Sequence, residues 1–177
     1  ATKCISFIQN KIKKYSFTIK WGETTNTDDL EGTVLEKSNV RPTKTQVLDI
    51  LNSFKGKVLQ EPPAFSAIKI DGERSYKLAR NNIIVKHRPR EVEIHKLSLK
   101  KIVNSDFAEF EVLCGKGTYI RSLAKDIAEK LNTRAHVIAL RRHSVGNFSE
   151  KDTIFIDFFK EIIPVSYTHL RAHETVE

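Results

Sequence analysis

The sequence contains no methionine and only two cysteines among its 177 residues. Because translation starts with methionine, its absence even at position 1 leads us to expect that Ala1 is a cut end within a longer protein. Cys4 and Cys114 form no CxxC pair, which excludes a disulfide framework. Two isolated thiols are typical of a protein from a reducing compartment, so we expect a cytoplasmic location.

Glycine, proline and long apolar runs are also scarce. Seven glycines and five prolines exclude the collagen-like and low-complexity classes. The apolar runs are only a few residues long, which excludes a transmembrane helix. No charged segment followed by an apolar one opens the sequence, so we expect no secretion signal.

Positive charge is what the sequence has in excess. Thirty Lys and Arg residues stand against 22 Asp and Glu residues, which gives a net charge of +8 and a pI near 9.5. This balance favours a polyanionic partner, either a nucleic acid or an anionic membrane surface. The length suits one domain, and 40% hydrophobic residues suit an ordinary globular core.

The last residues differ in character from those before them. Residues 165–175 show no periodicity and resemble the translation of a transposon-end adapter used to prepare sequencing libraries. We therefore expect residues 1–164 to be the natural domain and residues 165–177 to be a tail without a structural role. His169 and His173 would then have no function.

Apolar periodicity alternates between strand and helix patterns along the chain. Period-two alternation predicts strands over 15–21, 64–70, 92–99, 107–114 and 136–142, and helical spacing predicts helices over 43–54, 75–80 and 120–131. Thr43 and Gln46 have the spacing of a capping box. Residues 23–32 are polar and are predicted to form a loop. Because strands outnumber helices and mostly follow one another through turns, the predicted class is α+β with a mainly antiparallel sheet flanked by helices.

The most informative segment runs from 114 to 124, between a predicted strand and a predicted helix. Gly115 and Gly117 allow a sharp turn, but their spacing is not that of a Walker phosphate loop. Arg121 falls in the first helical turn, where the helix dipole is positive. This position predicts either an anionic partner for Arg121 or a guanidinium exposed to water.

The other candidate functional residues are lysines, arginines and histidines. Lysines and arginines are scattered among the strands, which is compatible with a solvated surface or with phosphate contacts to a nucleic acid. No helix rich in Arg, Asn and Gln indicates DNA reading in the major groove. The histidines at 87, 95, 136 and 143 lack the spacing of metal ligands, so surface or packing roles are expected and no metal site is predicted.

Five segments, in this order along the chain, resemble the TruB family of bacterial tRNA pseudouridine(55) synthases. They are Lys14-Tyr15 before an alternating strand, 27–32, 62–69 with Gly72, Tyr76 and Arg80, 117–121 and 135–142. The resemblance extends from Ala1 to about Phe148. It implies the pseudouridine synthase catalytic fold and isomerisation of a uridine in the tRNA T-loop without metal or cofactor. The N1 glycosidic bond breaks, the uracil turns and C5 joins the ribose, which requires the base to leave its stack.

The resemblance also implies roles for individual residues. Tyr15 corresponds to an active-site tyrosine that packs on the target base, and Tyr119 corresponds to a second one. Arg121 corresponds to the arginine that pairs with the catalytic aspartate, and Asp29 to a second acid on that arginine. The remaining assignments are contacts to substrate or RNA by Leu140, Lys14, Lys69, Arg141 and Arg142. From the residues alone, Tyr15 and Leu140 fit a core role equally well, and Asp29 fits a turn.

One family motif is missing. The catalytic aspartate of the family lies in a G-x-L-D-x-x-A-x-G motif, which does not occur here, and Ala1 resembles a position downstream of it. We therefore expect this chain to be inactive, with sheet edges left unpaired, and the complete protein to be a monomer that acts on the T-arm. Two other interpretations stay open, namely a non-catalytic RNA-binding module and a guide-RNA-dependent relative.

Overall fold

The computed structural model describes residues 11–81 and 83–153; Cys4 and the expected tail at 165–177 lie outside them. The strands are β1 (Lys13–Trp21), β2 (Glu23–Thr25), β3 (Val34–Lys37), β4 (Gly56–Gln60), β5 (Lys69–Ile70), β6 (Glu73–Arg74), β7 (Arg90–Ile102), β8 (Phe107–Cys114), β9 (Ala135–Val145) and β10 (Phe148–Ser149). The helices are α1 (Lys44–Leu51), α2 (Ser75–Arg80) and α3 (Ile120–Lys130). Six strands form one antiparallel sheet in the order β10–β9–β1–β8–β7–β4, which confirms the predicted α+β class.

Strand β1 lies near the middle of the sheet, between β8 and β9. Its alternation predicts one apolar face, and Phe17, Ile19 and Trp21 are indeed buried on that face. Phe110 on β8 stacks on Phe17 with ring centroids 5.4 Å apart and meets Trp21 edge-on. This aromatic group forms the centre of the core because cross-strand neighbours on one face bring their side chains together.

The apolar pattern of β7 changes phase within the strand, from Val92 and Ile94 to Leu97 and Leu99. The pairing with β8 shifts register between Ile94 and Lys96. A bulge adds one residue to one strand, so the side chains after it change from even to odd positions while staying on the same face. The phase change in the sequence is therefore the signature of this bulge.

Helices α1 and α3 supply the other half of the core. Thr43 caps α1, its hydroxyl accepts a hydrogen bond from Gln46 N, and the Gln46 side chain accepts one from Thr43 N, which confirms the predicted capping box. On α3 the buried residues include Leu123, Ala124 and Ile127, at the predicted helical spacing. In the described part of the chain no helix has the length and apolar character needed to cross a membrane.

Two predictions about local structure are wrong. Residues 23–32 are not only a loop, because β2 pairs with β3 in a short hairpin. The strand predicted over 64–70 is confined to Lys69–Ile70, which pairs with β6 through an Asp71-Gly72 turn whose two residues both have positive φ. Backbone carbonyls before Lys69 are bound instead by a side chain and by the start of α2: Ala64 O accepts from the Ser75 hydroxyl, and Ser66 O and Ile68 O accept from the N–H groups of Tyr76 and Ser75.

Candidate active site

A cleft of about 890 Å³ opens beside the first turn of α3. Its walls come from the loop after β2, the segment before β5, the start of α3 and the middle of β9. These walls present Asp29, Phe65, Tyr119, Arg121 and Leu140 to the cavity. The structure therefore brings four of the sequence-predicted site residues, all but Phe65, to one cavity.

Arg121 connects three walls of this cleft. Its Nη1 donates to Thr27 O at 2.7 Å and to Asp29 Oδ2 at 3.1 Å, and its Nη2 donates to Phe65 O at 2.7 Å. The Arg121 side chain is only 22% exposed, so it is not a solvated surface group. A carboxylate and two carbonyls surround the guanidinium, which offsets the unfavourable helix dipole at this position.

Asp29 is held in place by its own loop. Its Oδ1 accepts hydrogen bonds from Thr27 Oγ1 at 2.5 Å and from Glu31 N at 3.2 Å. The loop is attached to β9, because Val137 N donates to Asp28 O at 3.1 Å. Asp28 has a φ of 60°, and burial raises its pKa. The loop therefore presents Asp29 to Arg121 in a defined orientation.

Tyr119 occupies the position just before α3, where the backbone changes from extended to helical. Its N–H donates to the side-chain Oε1 of Gln60 at 2.8 Å. Gln60 ends β4 and is 2% exposed. Sequence reasoning missed Gln60, since one polar residue at the end of a short strand carries no signal of burial.

Tyr15 lies on β1 opposite Arg142 on β9, and it does not line the cleft described above. Burial raises the pKa of Tyr15, and a hydrogen bond with Arg142 lowers it in part. The ring packs against the hydrophobic core. In this structure Tyr15 therefore lies with the core, beside a candidate RNA-binding arginine.

The predicted RNA-contact residues are dispersed. Lys14 pairs with Glu111 at 3.0 Å, and Arg141 pairs with Glu150 at 2.9 Å. Lys69 is exposed on β5, and half of the Leu140 surface is exposed at the cleft. Of this group only Leu140 lines the cleft, and the basic residues lie outside it.

A buried polar cluster fixes the segment that carries Phe65. His87 is 7% exposed, and its Nε2 lies 2.9 Å from Ser75 Oγ and 3.3 Å from Ser66 Oγ. Burial, and secondarily the charge of Arg90, lowers the pKa of His87. This histidine has the packing role that its sequence context predicts. Within 11–81 and 83–153, no group of three or more His, Cys, Asp or Glu side chains could hold a metal ion.

The fold matches that of chains in two solved structures. The chain superposes on a chain of a Cbf5-Nop10-Gar1 complex with a TM-score of 0.64 and 22% identity, covering 90% of this chain and 40% of the other. A chain of an H/ACA RNP bound to a substrate RNA gives 0.61 and 19%, covering 90% and 38%. At these identities the likeness shows the fold alone.

The sequence comparison is more specific. Residues 1–120 match the N-terminal domain of the TruB family pseudouridylate synthases, and residues 121–170 match a tRNA pseudouridylate synthase B C-terminal domain. The chain therefore belongs to the TruB family. It is 49% identical over 157 residues to tRNA pseudouridine synthase B of Bradyrhizobium diazoefficiens and 45% identical over 162 residues to that of Bartonella henselae. These matches cover 89% and 92% of this chain but 46% and 51% of the relatives, so the chain spans about half their length.

Proposed function

We propose that this chain is part of an enzyme that converts a uridine in the T-loop of tRNA to pseudouridine. The observation that carries the proposal is the cleft in which Arg121 is fixed by Asp29 and two carbonyl groups beside Tyr119. Family membership and relatives named tRNA pseudouridine synthase B support the same reaction. The proposed substrate places the reaction in the cytoplasm.

Arg121 has donors left for a second acidic group. A guanidinium carries five N–H donors, and three of those of Arg121 bond to Thr27, Asp29 and Phe65. The structure gives the other two no partner among the described residues. We expect them to hold the nucleophilic aspartate, which would come from outside this chain, ionised and oriented through a bidentate pair.

The remaining residues of the cleft suit a flipped base. Leu140 offers apolar surface, and Tyr119 would contact the extruded uracil. Tyr15 lies outside this cleft, so its proposed contact with the base rests on the family resemblance alone. In the reaction the C1′–N1 bond breaks and a C1′–C5 bond forms, while the hydrogen on C5 leaves to solvent and N1 gains a proton. The net charge of +8 supports the phosphate contacts that hold a tRNA in place.

The test is release of tritium from tRNA that carries [5-³H]uridine, measured with the complete protein that contains this sequence. We expect release from intact tRNA and from an isolated T-arm stem-loop, and none from tRNA that lacks the T-arm. A binding module would retain tRNA without releasing tritium. A guide-RNA-dependent relative would release tritium only when partner proteins and a guide RNA are added.

A variant identifies the site. Arg121→Ala should lower kcat about 100-fold or more with little change in the Kd for tRNA, because the group that orients the acid is lost. Arg74→Ala, an exposed arginine on β6, is the matched control and should leave kcat unchanged. Equal loss in both variants, or loss of affinity alone, would contradict the assignment. Residues 1–177 by themselves should release no tritium.

A further inference from the structure

Among the residues that the structure describes, Gln60 is the one buried side-chain amide, and it reaches the cleft wall from the edge of the sheet. Within the same residues strand β4 pairs only with β7, and Gln60 is the last residue of β4. The side chain is 2% exposed, and Oε1 accepts the Tyr119 N–H at 2.8 Å. The bond joins residues 59 positions apart, so it exists only in the folded protein.

This bond satisfies a backbone group that the helix leaves without a partner. Tyr119 precedes the first turn of α3, where N–H groups have no intrahelical acceptor, and no side chain caps the helix there. Next to it, Ser122 Oγ donates to Glu61 O at 2.7 Å. The end of β4 thus binds the start of α3 at two points, one on each side of Arg121.

The other end of the Gln60 amide shows that its orientation is constrained. Its Nε2 is buried and makes no hydrogen bond of normal geometry among the described residues. The half-buried carboxyl of Asp126, one turn further along α3 from Ser122, is the polar neighbour of the Gln60 amide on this side. With Oε1 on the Tyr119 N–H and Nε2 toward a carboxyl, the amide has one favoured orientation, the one in which it accepts from Tyr119.

We infer that Gln60 is a positioning residue that holds the Tyr119 backbone, and through it the Tyr119 ring and Arg121, at the cleft. The inference rests on the proposed function for its catalytic consequence. Small displacements at an active site lower turnover much more than they weaken binding, because reaction needs exact alignment. Loss of the bond should therefore appear in kcat and only weakly in KM.

The experiment compares three variants of the complete protein. Gln60→Leu removes the acceptor, whereas Gln60→Glu, made together with Asp126→Asn so that no second carboxylate lies beside it, keeps an acceptor oxygen at the same reach and places negative charge at a helix N-terminus, where it is favoured. Gln46→Leu is the matched control, since Gln46 also accepts a backbone N–H, from Thr43 at 2.9 Å, in the capping box of α1. Selective ¹⁵N-tyrosine labelling, with Tyr119→Phe for assignment, reports exchange of the Tyr119 amide.

We expect Gln60→Leu to accelerate Tyr119 amide exchange at least tenfold and to lower kcat about 10- to 100-fold with KM within threefold. Gln60→Glu should restore slow exchange and most of kcat, and Gln46→Leu should change neither. If Gln60→Leu leaves exchange or kcat unchanged, or if Gln46→Leu lowers kcat equally, the inference is wrong.

Failure of the proposed function gives a different pattern. A wild-type protein that releases no tritium would overturn the proposed reaction and the catalytic consequence together. Faster Tyr119 exchange in Gln60→Leu would still establish that Gln60 holds this wall of the cleft. If Gln60→Leu does not fold, Gln60→Glu tests the inference instead. It must then show native Tyr119 amide exchange and native turnover, and loss of either would contradict the inference.

Discussion

The core side and the cleft side of this domain are held together by different forces. The core side consists of apolar residues from β1, β7, β8, β9 and the helices, with Phe17, Trp21 and Phe110 at its centre. The cleft side is held by hydrogen bonds from Arg121 and Tyr119 to segments 56 to 94 residues away. Apolar packing is non-directional and tolerates small shifts, whereas these polar contacts need exact placement. Stability should therefore reside on one side and activity on the other.

The largest expected effect is on the core side. Phe110→Ala should lower the free energy of unfolding by about 3–5 kcal/mol, because it removes a fully buried ring and leaves a cavity between Phe17 and Trp21. Urea denaturation of the complete protein measures the change. Phe148→Ala, at a phenylalanine that is 59% exposed, is the control and should cost less than about 1 kcal/mol. Equal losses would show that the core is not centred on Phe110.

On the cleft side, Asp29→Ala should cost about 1–2 kcal/mol, since it leaves the partly buried Arg121 without its carboxylate and removes the acceptor for Thr27 and Glu31. Its effect on tritium release should be larger than its effect on unfolding. Asp29→Asn keeps the Oδ1 acceptor for Thr27 and Glu31 but turns an NH2 group toward Arg121, so it should lose less stability than Asp29→Ala and still lower tritium release. If Asp29→Ala destabilises the fold as much as Phe110→Ala, the division between the two sides fails.

Asp126 on α3 lies where the two sides meet. Burial, together with the charge of Glu129, raises the pKa of Asp126 to about 6 from 3.8. The stability that comes from protonated Asp126 is therefore present below about pH 4 and is lost as the pH rises through about 6. Asp126→Asn should be more stable than wild type by about 1–2 kcal/mol at pH 7.5 and equal to it at pH 4. Asp49→Asn, at an exposed acid on α1, is the control and should follow the wild-type stability at both pH values in the same urea titrations.

The smallest expected effect on stability comes from His87. Its pH dependence is opposite to that of Asp126, because stability falls as the pH is lowered. The pKa of His87 is lowered by burial, so the folded protein favours the neutral ring. Stability from neutral His87 is present above its unfolded pKa, near 6.5, and is lost as the pH falls through the lower folded value. We expect the free energy of unfolding to fall by about 1 kcal/mol or less between pH 6.5 and 5, and His87→Gln should reduce this fall. His95→Gln is the control. If the stability of wild type and of His87→Gln has the same pH dependence, His87 is not the source of the loss.

Local patterns in the sequence determined the elements that make up the core. The alternation of β1, the capping box of α1 and the helical spacing of α3 predicted their elements correctly, because each depends on neighbours within a few residues. The phase change in β7 was visible too, and the structure gives its cause as a bulge. The strand predicted over 64–70 forms only at Lys69–Ile70, because groups from elsewhere in the fold, namely Arg121 and Ser75, bind the backbone of its first residues.

The site was predictable only through resemblance. Tyr119, Arg121, Asp29 and Leu140 meet at one cleft, as the resemblance implies, but their spacing in the sequence does not show it. Tyr15 lies with the core beside Arg142 instead. Their roles in catalysis stay predictions for the experiments above.

The sequence by itself determined which residues are apolar, where helices begin and which family the chain belongs to. Only the tertiary structure decided that Gln60 is buried, that it meets Tyr119, and that Arg121 donates three hydrogen bonds to two separate segments. The physical reason is the separation along the sequence over which each interaction acts. A periodic apolar pattern acts over a few residues, whereas a hydrogen bond between Gln60 and Tyr119 depends on how β4 and α3 come together, which no local pattern encodes.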